Sequence, residues 1–280
     1  MDLVARIFDG KRFNSDECQL IAERAPELKE KLGALLRDLA TLNRFSSEEE
    51  PSGLRYPKGY EPYALLTQVD RLKTIFPNIE TARARAYLRD KHLTLNLPEG
   101  ADGWFAIPRW QELSGSHSYA EAVMMIIKLL QGPKPYFSYC INPDTLARKN
   151  IRESERTAKR LERIAKEQGY GDIMFVAAQF GHVGASRSPR RAREVYRASE
   201  FGLGAFAAGC MLLTHPERFG HNADLGLLCT GDEVDMEGLG KFTCSTILQK
   251  KNGTLHFDAV NETNVFGSKC TGPVTGFVNL

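Results

Sequence analysis

Apolar residues recur at three- and four-residue spacing over residues 15–43: Leu20, Ile21, Ala25, Leu28, Leu32, Leu35, Leu36, Leu39 and Leu42 form one stripe among charges. That spacing predicts an amphipathic helix, with Ser15 as its cap and a kink or break at Pro26. Residues 46–63 carry Pro51, Ser52, Gly53, Pro57, Gly59 and Pro62 and read as a loop. A second helical region is predicted over 64–89, interrupted near Pro77 and restarting at Asn78. Beyond Lys91 the period changes. Residues 93–97 alternate, and 103–107 and 136–141 are short apolar runs, all read as strands. Helices are predicted over 118–130, 144–168, 189–197 and 200–214, with Gly169 ending the second and His215-Pro216 ending the last. Residues 172–180 read as a strand buried on both faces, because Ile173 to Ala177 are continuously apolar. The last sixty residues predict strands over 225–230, 242–249, 254–260 and 274–278, with Asn252-Gly253 making a hairpin of the middle pair.

The sum is an α+β fold: a helical N-terminal part over residues 1–90, then a mixed sheet with helices and a C-terminal β-hairpin over 91–280.

Composition narrows the class. The chain has 280 residues, 42% apolar and 26% charged, as expected of a folded globular protein rather than a disordered one. The longest apolar run, 202–213, is too short to span a bilayer, so no membrane helix is expected. The start of the chain has no basic segment followed by an apolar core, and Cys18, Cys140, Cys210, Cys229, Cys244 and Cys270 form no CxxC pair. A cytoplasmic protein with reduced thiols is the expectation. The net charge is only +2, yet residues 148–197 hold 13 basic residues against 6 acidic ones, while 221–280 are mildly acidic. This unevenness suggests two functional faces or, more simply, solvated helices.

Over about residues 62–280 the chain resembles a family of uncharacterised bacterial proteins, a domain of unknown function. The matching pieces are Gln68–Lys73, Gly103–Arg109, the strand 172–180, Ser188–Glu194, Glu200–Phe206, Leu212–Arg218 and the closing β segment. The resemblance implies a bacterial protein and brings no catalytic signature, cofactor or site with it.

Candidate chemistry therefore rests on the residues. Gly181, Gly184, Ser186, Arg187, Ser188, Arg190 and Arg191 lie between a buried strand and a helix. Ser188 suits an N-cap and Pro189 the first helical position. The glycines let backbone N–H groups turn towards a ligand, and the guanidinium forks suit phosphate or carboxylate. The expectation is an anion site for a phosphorylated ligand, a nucleotide or a nucleic-acid backbone. The pattern matches neither a P-loop nor GxGxxG. Arg152, Arg156, Lys159, Arg163 and Lys166 would share one face of a helix over 144–168 and extend the site into a nucleic-acid stripe. The competing expectation is a module for protein partners or a homo-oligomer, whose arginines pair with nearby acids. A third is an enzyme of no assigned class. His215, His221, His256 and Asp258 are a conceivable metal set, though nothing in the sequence joins them, and no metal site is assigned. Residues 231–238 read as an exposed acidic hairpin connection. Trp104, Phe105 and Trp110 mark core, a junction or a ligand cleft. No nucleophile signature is present.

Overall fold

The structure, a computed structural model, describes residues 44–91, 96–131, 150–220, 224–264 and 270–278, with isolated positions between 14 and 31. The chain divides into two compact units, Met1–Arg44 and Phe45–Leu280. In the first, the Glu17 amide donates to Asn14 Oδ1 at 2.8 Å and the Asn14 amide donates to Glu17 Oε2 at 2.9 Å. This reciprocal pair is a capping box built on Asn14. Ser15 and most of the helix expected over 15–43 lie outside the described residues.

The second unit contains six described α-helices and an eight-stranded mixed sheet. Helix α1 spans Leu65–Ile75 and α2 Ala82–Lys91. Pro77 separates them as expected, but the restart falls at Ala82, where the Glu80 carboxylate caps the amides of Ala82 and Arg83. Strand β1 (Gly103–Pro108) follows, then α3 (Tyr119–Gln131). Strands expected at 93–97 and 136–141 fall largely or wholly outside the described residues; Asn96 and Leu97 are not in a strand.

The helix expected over 144–168 is shorter. Residues 144–149 are not described, Ile151–Glu153 is strand β2, and α4 begins at Glu155. Ser154 stops the strand and caps the helix, its Oγ accepting from the Thr157 amide at 3.3 Å. Strand β3 (Ile173–Phe180) is buried at all eight positions, as its apolar run requires. Helix α5 is Pro189–Val195. The expected helix over 200–214 begins instead with strand β4 (Glu200–Gly202), and α6 covers Ala205–Thr214. Strands β5 (Gly226–Val234), β6 (Cys244–Lys251), β7 (Thr254–Asn261) and β8 (Thr271–Phe277) complete the sheet. Asn252 and Gly253 have φ of 50° and 77°, the conformation a two-residue hairpin turn needs.

The sheet order is β1-β3-β8-β5-β6-β7, with β2 added to β5 and β4 to β8. All pairs are antiparallel except β5 with β8. Strand β8 is the hinge of the sheet. Its first half runs beside β5, and its second half lies between β3 and β4. Helix α6 is buried at nine of its ten residues and packs on α3, α1 and the sheet. No described helix is long and apolar enough to cross a membrane.

Candidate functional site

Strand β2 pairs with the far end of β5 so that Glu153 lies opposite Asp232 and Arg152 opposite Glu233. Alternation sends the two pairs to opposite faces. Arg152 and Glu233 form an exposed ion pair at 2.8 Å. Glu153 and Asp232 face inward, where directly paired side chains lie within about 5 Å at Cβ.

Asp232 is fully buried. Its carboxylate accepts from the Tyr119 hydroxyl at 2.5 Å, the Thr246 hydroxyl at 2.5 Å and the Ala205 amide at 2.8 Å. The Ala205 amide is the first of α6, whose own cap position is Gly204 and supplies no side chain. Asp232 is therefore a cap delivered from the sheet, and its charge sits on the positive end of a buried helix. The approach is close enough that a Cβ at Gly204 would overlap both the Tyr119 hydroxyl and the Asp232 carboxylate. Burial nevertheless wins over these three donors and holds the Asp232 acid up to about 6.

Glu153 has no such donors. Burial, followed by the charge of Asp232, pushes its carboxyl up to about 8. It opens onto a cavity of about 180 Å³. Ile107, Pro108, Trp110, Leu161, Met174 and Phe206 form the apolar wall, while Arg109, Gln111 and Glu162 supply polar groups. Arg109 pairs with Glu112 at 3.1 Å. Of the two interacting carboxyls, Glu153 has the higher value and is the one that holds its proton further towards neutral pH. A protonated carboxyl facing a small, mostly apolar cavity can donate a proton and take it back. A larger cavity of about 340 Å³ beside β6 and β7 has Lys250 as its only charged wall residue among the described residues. The Lys250 ammonium is held by the carbonyls of Phe219 and Gly220.

The sequence reading missed both acids. Residues 231–238 are not one exposed connection: β5 continues to Val234, and the turn begins beyond it. Asp235 organises that turn, accepting from the amides of Glu237, Gly238 and Gly240. Period-two spacing of Thr230, Asp232 and Val234, all buried, was the available signal. Glu153 was concealed by assigning 144–168 to one helix. Of the aromatic trio, Phe105 is core and Trp110 lines the cavity.

The Arg-rich loop connects β3 to α5. Gly181 and Gly184 have φ of 100° and 89°, and Ser188 caps α5 by accepting from the Arg191 amide at 3.1 Å. Ser186 lies one residue before Arg187, buried, with its amide on the Thr271 carbonyl. The guanidiniums already hold carboxylates. Arg187 bonds Glu49 at 2.9 Å, Arg191 bonds Glu49 at 3.1 Å and Glu194 at 2.9 Å, and Arg190 grips Glu48. An external anion at these arginines has to displace glutamates.

The basic stripe is broken, because Arg152 stands on β2 rather than on α4. Arg156 donates to the Glu200 carbonyl, Arg160 to the Ala198 carbonyl, Lys159 pairs with Glu155 and Arg163 with Glu167.

The histidine set is not assembled among the described residues, where no group of three His, Cys, Asp or Glu could hold a metal. His221 lies outside them. His215 is fully buried, with Nδ1 on the Met211 carbonyl and the Thr214 hydroxyl and Nε2 accepting the Tyr63 amide. Both ring nitrogens are used. Arg218, one turn on, is also fully buried, its guanidinium 4.2 Å from the Tyr56 ring centre and its Nη2 on the carbonyls of Phe180 and Leu225.

The fold and site thus define an α+β protein in which a fully buried Asp232 is paired with a half-buried Glu153 at a small cavity. Comparison with protein-family models, with curated proteins and with solved structures finds no match.

Proposed function

We propose that this chain is an enzyme that transfers a proton to or from a small, largely apolar substrate, with Glu153 as the acid–base group. One observation carries the reading. Glu153 faces a cavity of about 180 Å³ with its carboxyl raised to about 8 by burial and by Asp232. A raised acid in a cleft, with a named cause, is the physical signature of a group tuned for proton transfer near neutral pH. Asp232 is a positioning residue, locked by Tyr119, Thr246 and the first amide of α6. Trp110, Met174 and Phe206 supply apolar contact, and Arg109 and Gln111 offer polar contact to the substrate. The cavity suits a molecule of about ten non-hydrogen atoms.

Ligand-observed NMR with small neutral fragments tests this reading. Hits are expected that are lost in the cavity-filling variant Ala158→Phe. In D2O they should exchange a carbon-bound hydrogen, and the exchange should disappear in Glu153→Gln. Fragments that bind Ala158→Phe unchanged, or exchange that persists in Glu153→Gln, would remove the cavity as the site.

A further inference from the structure

The second feature stands apart from the cavity and depends on none of its residues. The segment Phe45–Glu50 meets the loop 186–191: residues 45–48 form a turn closed by the Glu48 amide on the Phe45 carbonyl at 2.8 Å, and 48–50 run antiparallel to 186–188. The Glu50 amide donates to the Ser186 carbonyl at 3.0 Å, the Ser188 amide donates to the Glu48 carbonyl at 3.0 Å, and Glu49 and Arg187 form an isolated antiparallel bridge. Side chains then lock in alternation. Glu48 takes the Ser188 hydroxyl at 2.6 Å and the Arg190 guanidinium. Glu49 takes Arg187 and Arg191. The Phe45 ring lies 4.2 Å from the Arg190 guanidinium carbon.

These are the parts of a peptide-recognition site: main-chain pairing for affinity, and arginine forks with an aromatic contact for specificity. The arginines hold the Glu48 and Glu49 carboxyls below the usual range, chiefly through the hydrogen bonds from Arg190 and Arg191 respectively. The segment is held by polar contacts rather than by apolar burial. No residue from Phe45 to Thr67 is fully buried, and only one bridge joins it to the loop. A stretch rich in Pro and Gly, residues 51–62, follows it, and residues 50–64 carry no helix or strand that its departure would unravel on that side.

We propose that loop 186–191 is an acceptor groove for an acidic peptide that pairs through a turn and a short extended end, that Phe45–Glu50 is its built-in occupant, and that a partner's peptide with an aromatic three residues before two adjacent carboxylates takes the groove by displacing it. The anion expected at Arg187, Arg190 and Arg191 is thus a peptide carboxylate. The built-in copy acts at an effective concentration of about millimolar, so a partner must match or exceed it.

The test uses the full chain and a fluorescein-labelled peptide of residues 45–51, read by anisotropy. Glu48→Gln/Glu49→Gln empties the groove and should bind the peptide at least about tenfold more tightly than the wild type. Binding should weaken steeply with salt. It should be lost on adding Arg190→Gln/Arg191→Gln with the circular dichroism unchanged, and lost for a peptide with Gln at both Glu positions. In the wild type, saturating peptide should speed hydrogen exchange at the Glu50 amide while the Ser188 amide stays protected, because the peptide's carbonyl replaces that of Glu48. Equal binding to the wild type and the emptied variant, or no binding to a folded emptied variant at millimolar peptide, overturns the proposal. So does joint acceleration of the Glu50 and Ser188 amides. If the emptied variant does not fold, the wild-type exchange experiment decides.

Discussion

Glu153 and Asp232 show how environment, not residue type, sets chemistry. Glu233 stands between Asp232 and Asp235 in sequence, yet it pairs with Arg152 at the surface, while Asp232 is sealed under Tyr119 and Thr246. Both acids, Glu153 half-buried and Asp232 fully buried, bind protons more tightly in the folded chain than in the unfolded chain, where they titrate at their ordinary values of 4.5 and 3.8. The stability they contribute is complete below about pH 4. It is lost as pH rises through about 6 for Asp232 and about 8 for Glu153, because the unfolded chain has already released its protons. Thermal melts should therefore show falling stability between these limits. Glu153→Gln should flatten the upper part of the fall and stabilise the protein at pH 8 by about 1–2 kcal/mol, since it removes a buried charge. A melt of Glu153→Gln that tracks the wild type across this range would contradict the assignment. These acids were not readable in the sequence, because a charged residue facing inward looks the same in a one-dimensional pattern as one facing water. Only the partner strand decides, and β2 lies about eighty positions away from β5 in the chain.

Elements were more readable than residues wherever the signal was local. The Asn252-Gly253 hairpin, the continuous apolar run of β3 and the Pro77 break each follow from a few adjacent side chains. The misread stretches share one cause. At 150–155 and 200–205 a three-residue strand precedes a helix, and the helical pattern was extended back over it. Such strands owe their form to a neighbour: β2 to β5, and β4 to β8. Helix α1 also depends on distant partners. Gln68 is fully buried, donating to the carbonyls of Tyr63 at 2.7 Å and Trp104 at 2.9 Å and accepting the Ala106 amide at 2.8 Å. It therefore fixes α1 to β1. Gln68→Leu keeps the volume and leaves three backbone groups without their partner. A loss of about 3 kcal/mol is expected in chemical denaturation, against near neutrality if the side chain were merely filling space.

At the scale of the molecule, the α+β class followed from the change of period along the chain, whereas the pairing of charges did not. The excess of basic residues in 148–197 suggested a field, but its arginines are largely distributed among carboxylates and carbonyls. The sheet, its helices and the described core all belong to the unit Phe45–Leu280. A chain of residues 45–280 should accordingly unfold cooperatively, with a melting temperature within a few degrees of the whole protein. Loss of cooperativity would show that the core depends on residues 1–44.

The central claim is that Glu153 carries a proton at neutral pH because of burial and Asp232. Infrared difference spectroscopy of wild type against Glu153→Gln, followed through pH, tests it directly. The account predicts a protonated-carboxyl band at pH 7 that is absent from the variant, titrates near 8 and moves to lower pH in Asp232→Asn, where the like charge is gone. A Glu153 carboxyl already ionised at pH 7, titrating near the ordinary 4.5 and indifferent to Asp232→Asn, would contradict it.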